Sequence, residues 1–220
     1  MAIPAAHREP GAPDPGLAPD AFAPTPTLPG PVVTLAPLVI DHLDDYRAMV
    51  SEPENRRLTG THVTVSINDT RGWLLSRVDQ RDRADFAIID SATGGFVGEV
   101  VLNEFSPEDA SASFRIVLAG PGLYGRGYGS EATRAAISYG FDTVGLHRIS
   151  LEVFDFNPRA QRVYQKCGFR CEGRKREVLR DADGWHDAIM MGILVADPRN
   201  DQGDRALLNV SGTGGPAQRR

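Results

Sequence analysis

The residues best suited to chemistry form a glycine-rich segment, Tyr124–Ser130, which reads YGRGYGS and lies between an apolar stretch and an alanine-rich one. Glycine at alternate positions permits positive φ angles and a close approach of the backbone to a ligand. A helix starting there would add free N–H groups and a dipole that favours phosphate. Ser130 and Arg126 would add a hydroxyl and a charged contact. The segment predicts a phosphate-binding turn, with a tight strand-to-helix connection as the simpler alternative.

Two other phosphate-binding motifs compete with this interpretation. A P-loop requires Gly, four residues, then Gly-Lys and Ser or Thr, and that pattern does not occur here. The dinucleotide fingerprint is closer, because Gly125–Ser130 is one residue short of it and Asp155 follows the next strand. That fold, however, continues from its glycine turn through several strand–helix units. Here the hairpin signal Asp183-Gly184 follows instead, which argues against dinucleotide binding.

Hydrophobic periodicity predicts the elements that must position this turn, in the order β-α-α-β-β-β-α-β-α-β-β. Strands are expected at 32–35, 86–90, 96–105, 111–118, 147–154, 169–179 and 185–194. Helices are expected after Asp41, after Asp69 or Thr70, and after the glycine-rich segment. A further helix follows Asn157, where proline comes next and Gly168 supplies a stop. This order predicts an α+β fold with a mixed sheet.

Composition places the chain among globular proteins, with 41% hydrophobic and 24% charged residues in 220. A net charge of −5 predicts no nucleic-acid partner, since such proteins carry a basic face. No apolar run approaches the roughly 20 residues that a membrane span needs, and no signal-peptide pattern is present. The expected location is therefore the cytoplasm. Cys167 and Cys171 are expected to be reduced, buried or half-buried thiols, and no metal site is predicted.

The ends of the chain differ from its middle. Eight of the sixteen prolines fall within residues 1–30, and such a segment buries too little apolar surface to offset the entropy of ordering it. Residues 1–30 are therefore predicted to be a disordered tail, and residues 197–220 a flexible one. Residues 31–196 remain as a single domain.

Three stretches together resemble the GCN5-related N-acetyltransferase (GNAT) superfamily, namely Ser113–Leu118, Tyr124–Ala132 and Asn157–Phe169. The resemblance covers about residues 31–195, and it is nearest to the branch of ribosomal-protein N-terminal acetyltransferases and spermidine acetyltransferases. It implies a mixed, mostly antiparallel central sheet with splayed strands and helices on both faces. It also implies acetyl-CoA as co-substrate, with pantetheine in the wedge between the splayed strands and pyrophosphate on the glycine-rich turn. Tyr124 stands where many members have Gln or Arg, but an aromatic residue is common in this branch.

The cofactor-binding residues that the resemblance implies come from a strand, the turn and a helix start. They are Ile116, Val117, Leu118, Tyr124, Gly125, Arg126, Gly127, Tyr128, Gly129, Ser130 and Asn157. Unpaired backbone groups of a splayed strand would satisfy the amides of pantetheine. Asn157 also suits a plain helix cap.

The implied chemistry is direct attack of a neutral amine on the thioester, which requires one proton to be removed and another to be supplied. Tyr164 matches the position of the family's general acid, with packing on an amphipathic helix as the alternative. Glu99 is the first candidate for the base, because a carboxylate in an apolar strand beside glycine is unusual. Its alternative is a solvent-facing strand residue. Glu104, His147 and His186 are weaker candidates, and a water chain would need no single base.

The resemblance leaves the acceptor open among a protein N-terminus, a polyamine and another small amine. Its identity is expected to depend on a variable lip between Asp41 and Asp85, which includes Arg56, Arg57, His62 and Trp73. A non-catalytic acyl-CoA-binding module is the alternative function. A homodimer through the terminal hairpin is a further expectation.

Overall fold

The computed structural model describes residues 16–63 and 65–199, and these form twelve strands and α-helices. The strands are β1 Val33–Pro37, β2 Ala84–Asp90, β3 Phe96–Ser106, β4 Ser111–Leu118, β5 Arg148–Phe154, β6 Arg170–Asp181 and β7 Gly184–Leu194. The α-helices are α1 Leu43–Ser51, α2 Pro53–Leu58, α3 Ile67–Ser76, α4 Tyr128–Ser138 and α5 Pro158–Lys166. A π-helical turn, Tyr139–Val144, continues α4.

The strands form one seven-stranded sheet in the order β1-β2-β3-β4-β5-β7-β6. Every neighbouring pair is antiparallel except β4 and β5, which run parallel. The predicted α+β class with a mostly antiparallel mixed sheet is confirmed. A dinucleotide-binding fold would need a parallel sheet, so that alternative is wrong.

Helices cover both faces of the sheet, because alternate strand residues point to opposite sides. Phe86 and Ile88 of β2 belong to the larger core, which includes apolar residues of α4 and α5. Ala87 and Ile89 lie on the other face and pack with α1 and α3. The central strands are therefore covered on both sides, and the predicted helices on both faces are confirmed.

Several helix boundaries differ from the predictions. The helix α2 was not predicted, although Glu52 caps it by accepting from two backbone amides and Pro53 takes its first position. Ser66 caps α3, in place of the predicted Asp69 or Thr70. A short 3-10 turn around Asp41 precedes α1, so Asp41 is not its cap.

The prediction that residues 1–30 are a disordered tail is wrong for residues 16–30. Phe22 is fully buried, and its ring meets that of Phe105 edge-on with centroids 5.1 Å apart. Leu28 exchanges backbone hydrogen bonds with Leu35 of β1 at 2.8 and 2.9 Å. A few apolar side chains hold this segment in place. Its prolines already restrict the unfolded chain, so the segment loses less conformational entropy when it becomes ordered. Residues 1–15 and 200–220 lie outside the described residues.

Glu131, in the first turn of α4, ties that helix to the edge of the sheet. Its Oε1 accepts hydrogen bonds from the backbone amides of Val32 at 2.8 Å and Val33 at 3.0 Å. Cys167 is buried as expected, whereas Cys171 is exposed. In the part of the chain that is described, no helix has the length and apolar character to cross a membrane.

Candidate functional site

The parallel strands β4 and β5 separate after a short paired region. Only Ser111–Ser113 pair with Arg148–Ser150, although both strands continue for several residues. From Phe114 onward the edge of β4 that faces β5 has no strand partner, which leaves its N–H and C=O groups to other ligands. The predicted splay of these strands is present in the structure.

A cavity of about 640 Å³ fills the wedge between the separated strands. Its volume falls in the range of small-molecule binding sites, which is roughly 300–1,000 Å³. The residues of the predicted cofactor set that line it are Ile116, Val117, Leu118, Tyr124, Gly125, Gly127, Tyr128, Gly129, Ser130 and Asn157. Arg126 is exposed and does not line it. The structure thus brings together all but one of these residues around one space.

The glycine-rich turn presents bare backbone to this cavity. Gly125 and Gly127 have φ angles of +76° and +87°, a left-handed conformation that glycine adopts without strain. A Cβ added at either residue would meet no protein atom within 4 Å. Gly127 is the N-cap of α4, and no side chain in the described residues caps that helix. The first amides of α4 are therefore available to an anion, as a phosphate group requires.

Two tyrosines anchor the turn. The Tyr128 hydroxyl donates to Asp90, at the end of β2, and this hydrogen bond lowers the pKa of that carboxyl. The ring of Tyr124 lies under the Arg159 guanidinium, whose carbon is 3.5 Å from the ring centroid. These contacts fix the turn from both ends without occupying its backbone amides.

Basic side chains surround the rest of the cavity. Arg115 comes from β4, whereas Arg159, Arg162 and Lys166 come from α5. Among the described residues that line the cavity, Glu152 is the only acidic one, and its charge is paired with that of Lys175. The cavity is therefore suited to a ligand that carries several negative charges.

Tyr164 of α5 lines the wall of the cavity and is only 7% exposed. Its ring meets those of Phe114 and Phe169 edge-on, with both centroid distances 5.9 Å. Burial raises the pKa of this phenol, so it stays protonated at neutral pH. The packing role and a proton-donating role are thus compatible in one residue.

Asn157 caps α5, as its sequence context predicts, because its Oδ1 accepts from the Ala160 amide at 3.1 Å. The same side chain borders the cavity. Its amide group still has donors to offer a ligand.

Glu99 is 2% exposed, so the solvent-facing alternative is wrong. It lies in β3 opposite Val117, and Arg115 Nη2 is 3.6 Å from its Oε2. Burial raises the pKa of Glu99 to about 7, against the lowering effect of Arg115. Its Oε1 is buried with no hydrogen-bond partner among the described residues. Glu99 does not line the cavity but lies one strand behind the wall formed by Val117.

The weaker base candidates lie outside the cavity. Glu104 accepts from the Ser113 hydroxyl at 2.6 Å, and His147 is exposed. His186 Nε2 lies 2.8 Å from Asp181. Trp73, a predicted lip residue, stacks on Tyr46 over the α1 side of the sheet instead.

The unpredicted helix α2 closes the wedge on one side. Asn55 is 3% exposed, and its Nδ2 donates to the carbonyls of Met49 at 3.0 Å and Leu118 at 2.9 Å. Its Oδ1 also accepts from the Tyr124 hydroxyl at 3.4 Å. Asn55 therefore connects α2, the end of β4 and the glycine-rich turn. The Glu52-Pro53 cap was the signal in the sequence that could have revealed this helix.

A second, smaller hollow of about 300 Å³ lies between the end of α2 and the β6–β7 hairpin. The predicted lip residues Arg56, Arg57 and His62 line it. The main cavity is suited to a polyanionic ligand beside a buried phenol, and the hollow is a separate, smaller space.

Comparison with known proteins agrees with this arrangement. Residues 33–170 match the family model described as "Acetyltransferase (GNAT) domain". The spermidine N(1)-acetyltransferase of Vibrio cholerae is 33% identical over 107 residues, which are 49% of this chain and 61% of that protein. A probable N-acetyltransferase of Bacillus subtilis is 27% identical over 121 residues, covering 55% of this chain and 67% of that protein.

A solved structure of the Vibrio cholerae spermidine N-acetyltransferase, in complex with CoA and spermine, has a TM-score of 0.70 and 24% identity. The match covers 75% of this chain and 96% of that chain, which supports the fold. In sequence, the match spans only about three fifths, 61%, of that enzyme's length.

Proposed function

Because this chain belongs to the acetyltransferase (GNAT) domain family, we propose that it transfers the acetyl group of acetyl-CoA to a primary amine. The observation that carries the proposal is the wedge between β4 and β5, closed at one end by the uncapped start of α4. Acetyl-CoA would supply an acetyl group activated as a thioester. The residues around the wedge would bind and orient it and move the protons.

The backbone of Ile116–Leu118 is proposed to pair with the amides of pantetheine along the open edge of β4. The amides at the start of α4 would hold pyrophosphate, where the helix dipole favours negative charge. Arg162 and Lys166, on the rim, would add charge-assisted contacts to phosphate. An amide of the open strand edge would also polarise the thioester carbonyl.

Two side chains are proposed to handle protons. Glu99 would take the proton that the acceptor ammonium loses, through a water molecule because the carboxylate is set back behind Val117. The neutral nitrogen then forms a bond to the carbonyl carbon as the carbon–sulfur bond breaks. Tyr164 would give its proton to the departing sulfur, and the second proton, which the acylated nitrogen sheds as the amide forms, would return through water to the tyrosinate. The buried phenol is suited to this role because its raised pKa keeps it protonated.

The proposal is tested by binding and turnover of the full chain. Acetyl-CoA should raise the melting temperature, because a ligand that binds only the folded state stabilises it, whereas NADH should not. Release of free CoA thiol should then depend on an added primary amine. Stabilisation by NADH alone would contradict the site. Stabilisation by acetyl-CoA without thiol release across an amine panel would identify the non-catalytic module instead.

A further inference from the structure

The hollow beside α2 has an unusual charge balance for a site that would take a cationic acceptor. Three of its lining residues are the basic Arg56, Arg57 and His62, and only Asp181 is acidic. Its floor on the hairpin side includes Leu179. A polycation would therefore enter a space lined mainly by its own sign of charge.

The acidic side chains nearby are already engaged. Arg57 Nε lies 3.1 Å from Asp181, and its Nη2 lies 2.9 Å from Asp183. Asp181 also contacts His186 Nε2 at 2.8 Å, which lowers the pKa of that carboxyl. The Arg57 guanidinium is further held 4.4 Å above the ring of Phe156. A polyamine would have to displace Arg57 before it could use either aspartate.

The same holds for the carboxylates between the hollow and the wedge. Glu54 is 3.4 Å from Arg159 Nη2, and Glu152 pairs with Lys175. Glu52 is used in capping α2. Each of these three carboxylates therefore has a basic or backbone partner.

Arg56 differs from Arg57 in its partner. Its Nη2 donates to the backbone carbonyl of His62 at 3.2 Å, and no carboxylate among the described residues neutralises its charge. The guanidinium thus remains available for a charged partner. A carboxylate is the partner whose shape fits its fork of donors.

A ligand held in the hollow would lie next to the wedge. Thr59 lines the wedge and Thr61 lines the hollow, with Gly60 between them. A Cβ at Gly60 would lie 3.1 Å from the Phe154 ring, in the wedge, and 3.3 Å from Leu179, in the hollow. Because Gly60 has no side chain, Phe154 and Leu179 pack directly against its backbone, and the two spaces are neighbours across this one residue.

We propose that the acceptor of this enzyme is a primary amine that also carries a carboxylate, which Arg56 binds in the hollow. This inference rests on the proposed N-acetyltransferase function and specifies its substrate class. The carboxylate gains a charge-assisted hydrogen bond, and its amine extends past Gly60 toward the thioester. A polyamine places its remaining ammonium groups against the Arg56 guanidinium, which disfavours it.

The test compares acceptors that differ mainly in charge and lack a main-chain carboxylate. The probes are the tripeptide amides Ser-Glu-Glu, Ser-Gln-Gln and Ser-Lys-Lys, together with spermidine, each assayed by CoA thiol release. We expect kcat/KM to be at least about tenfold higher for an acidic probe than for its basic counterpart or spermidine. This preference should weaken as ionic strength rises.

Variants of Arg56 test whether this residue causes the preference for acidic acceptors. Arg56→Gln should remove most of it and Arg56→Glu should reverse it, whereas Arg71→Glu, on the exposed face of α3 outside both cavities, should leave it intact. A higher kcat/KM for spermidine or the Ser-Lys-Lys amide than for the Ser-Glu-Glu amide overturns this inference while leaving the transferase in place. An unchanged preference in Arg56→Gln overturns it as well. Failure of every probe to release thiol contradicts the proposed transfer itself.

Discussion

At the scale of single residues, Tyr164 has a packing role and a proposed role as proton donor. It packs between the rings of Phe114 and Phe169, and its position on the cavity wall would make it available to the proposed departing thiolate. A residue held in this way loses little entropy when it donates a proton, since its orientation is already fixed.

Replacing Tyr164 by Phe should keep the packing and remove the proton. We expect kcat to fall by about 10²-fold or more, the usual contribution of a general acid. The KM for acetyl-CoA should change by less than about threefold, because the interaction is made in the transition state. Tyr139→Phe is the matched control, since Tyr139 is also a buried tyrosine, bonded to the Phe22 carbonyl and remote from the cavity. Equal turnover in the two variants would remove Tyr164 as the acid.

Glu99 links the chemistry to stability. Its pKa in the folded state, about 7, lies above the ordinary value of 4.5 for this side chain, mainly because of burial. The folded protein therefore holds this proton more tightly than the unfolded chain does. The stabilisation that protonated Glu99 gives the folded state is fully present below about pH 4.5. That contribution to stability is lost as the pH rises from about 4.5 through about 7. A general base must be ionised to accept a proton, so activity should increase as the pH rises through about 7.

Glu99→Gln should separate the two effects. The variant should be more stable than the parent at pH 8, by up to about 3 kcal/mol in the free energy of unfolding, and close to it at pH 5. Its kcat should fall by about 10²-fold or more if Glu99 is the base. Glu104→Gln, in an exposed part of the same strand, is the control for both measurements. Denaturant unfolding at pH 5 and pH 8 measures the difference in stability between the variant and the parent. A difference that does not change with pH would contradict the burial argument.

At the scale of elements, the turn before α4 depends on backbone conformation rather than side chains. We expect Gly127→Asp to abolish thermal stabilisation by acetyl-CoA, because it strains a left-handed position and puts a carboxylate beside phosphate. Gly127→Asn carries no charge and tolerates that conformation, so it should retain part of the stabilisation. Gly122→Asp, outside the cavity and without a positive φ, should retain most of it. Undiminished stabilisation in Gly127→Asp would show that the pyrophosphate binds elsewhere.

The sequence could predict elements with a clear local signal. β4 has the predicted bounds, Ser111–Leu118, and Asn157, Pro158 and Gly168 mark the limits of α5. The helix α2 has six residues, too few for a helical period to appear, so only its cap was informative. The sequence does not reveal whether Glu99 is buried or faces solvent, because β3 is covered on both sides. Strands of this kind show no alternation of apolar and polar residues. The proximity of Asn55 to Leu118 depends on tertiary packing across 63 residues.

At the scale of the whole molecule, residues 16–30 belong to the domain rather than to a tail. Low apolar content led to the opposite prediction, but the few apolar side chains of this segment, above all the fully buried Phe22, pack into the core. We expect Phe22→Ala to lower the free energy of unfolding by about 3–5 kcal/mol, the usual cost of removing a buried ring. Val63→Ala, at an exposed position, should change it by less than about 0.5 kcal/mol. Equal melting temperatures for the two variants would place Phe22 outside the core.

The order of the strands also separates the proposed sites for donor and acceptor. The wedge opens at the single parallel junction of the described sheet, whereas the hollow uses α2 and the β6–β7 edge. The variable lip can therefore change without disturbing the turn that is proposed to bind pyrophosphate. This separation is consistent with a carboxylate-bearing acceptor in a family whose members here include spermidine acetyltransferases.

The two hydrogen bonds of Glu131 have a practical consequence. The amides of Val32 and Val33, at the edge of the sheet farthest from the β6–β7 hairpin, are held by a carboxylate in the first turn of α4. Their exchange with deuterated solvent therefore depends on how firmly that turn is ordered. These two amide protons are natural reporters of occupancy at the glycine-rich turn, readable without altering any residue that touches a reactant.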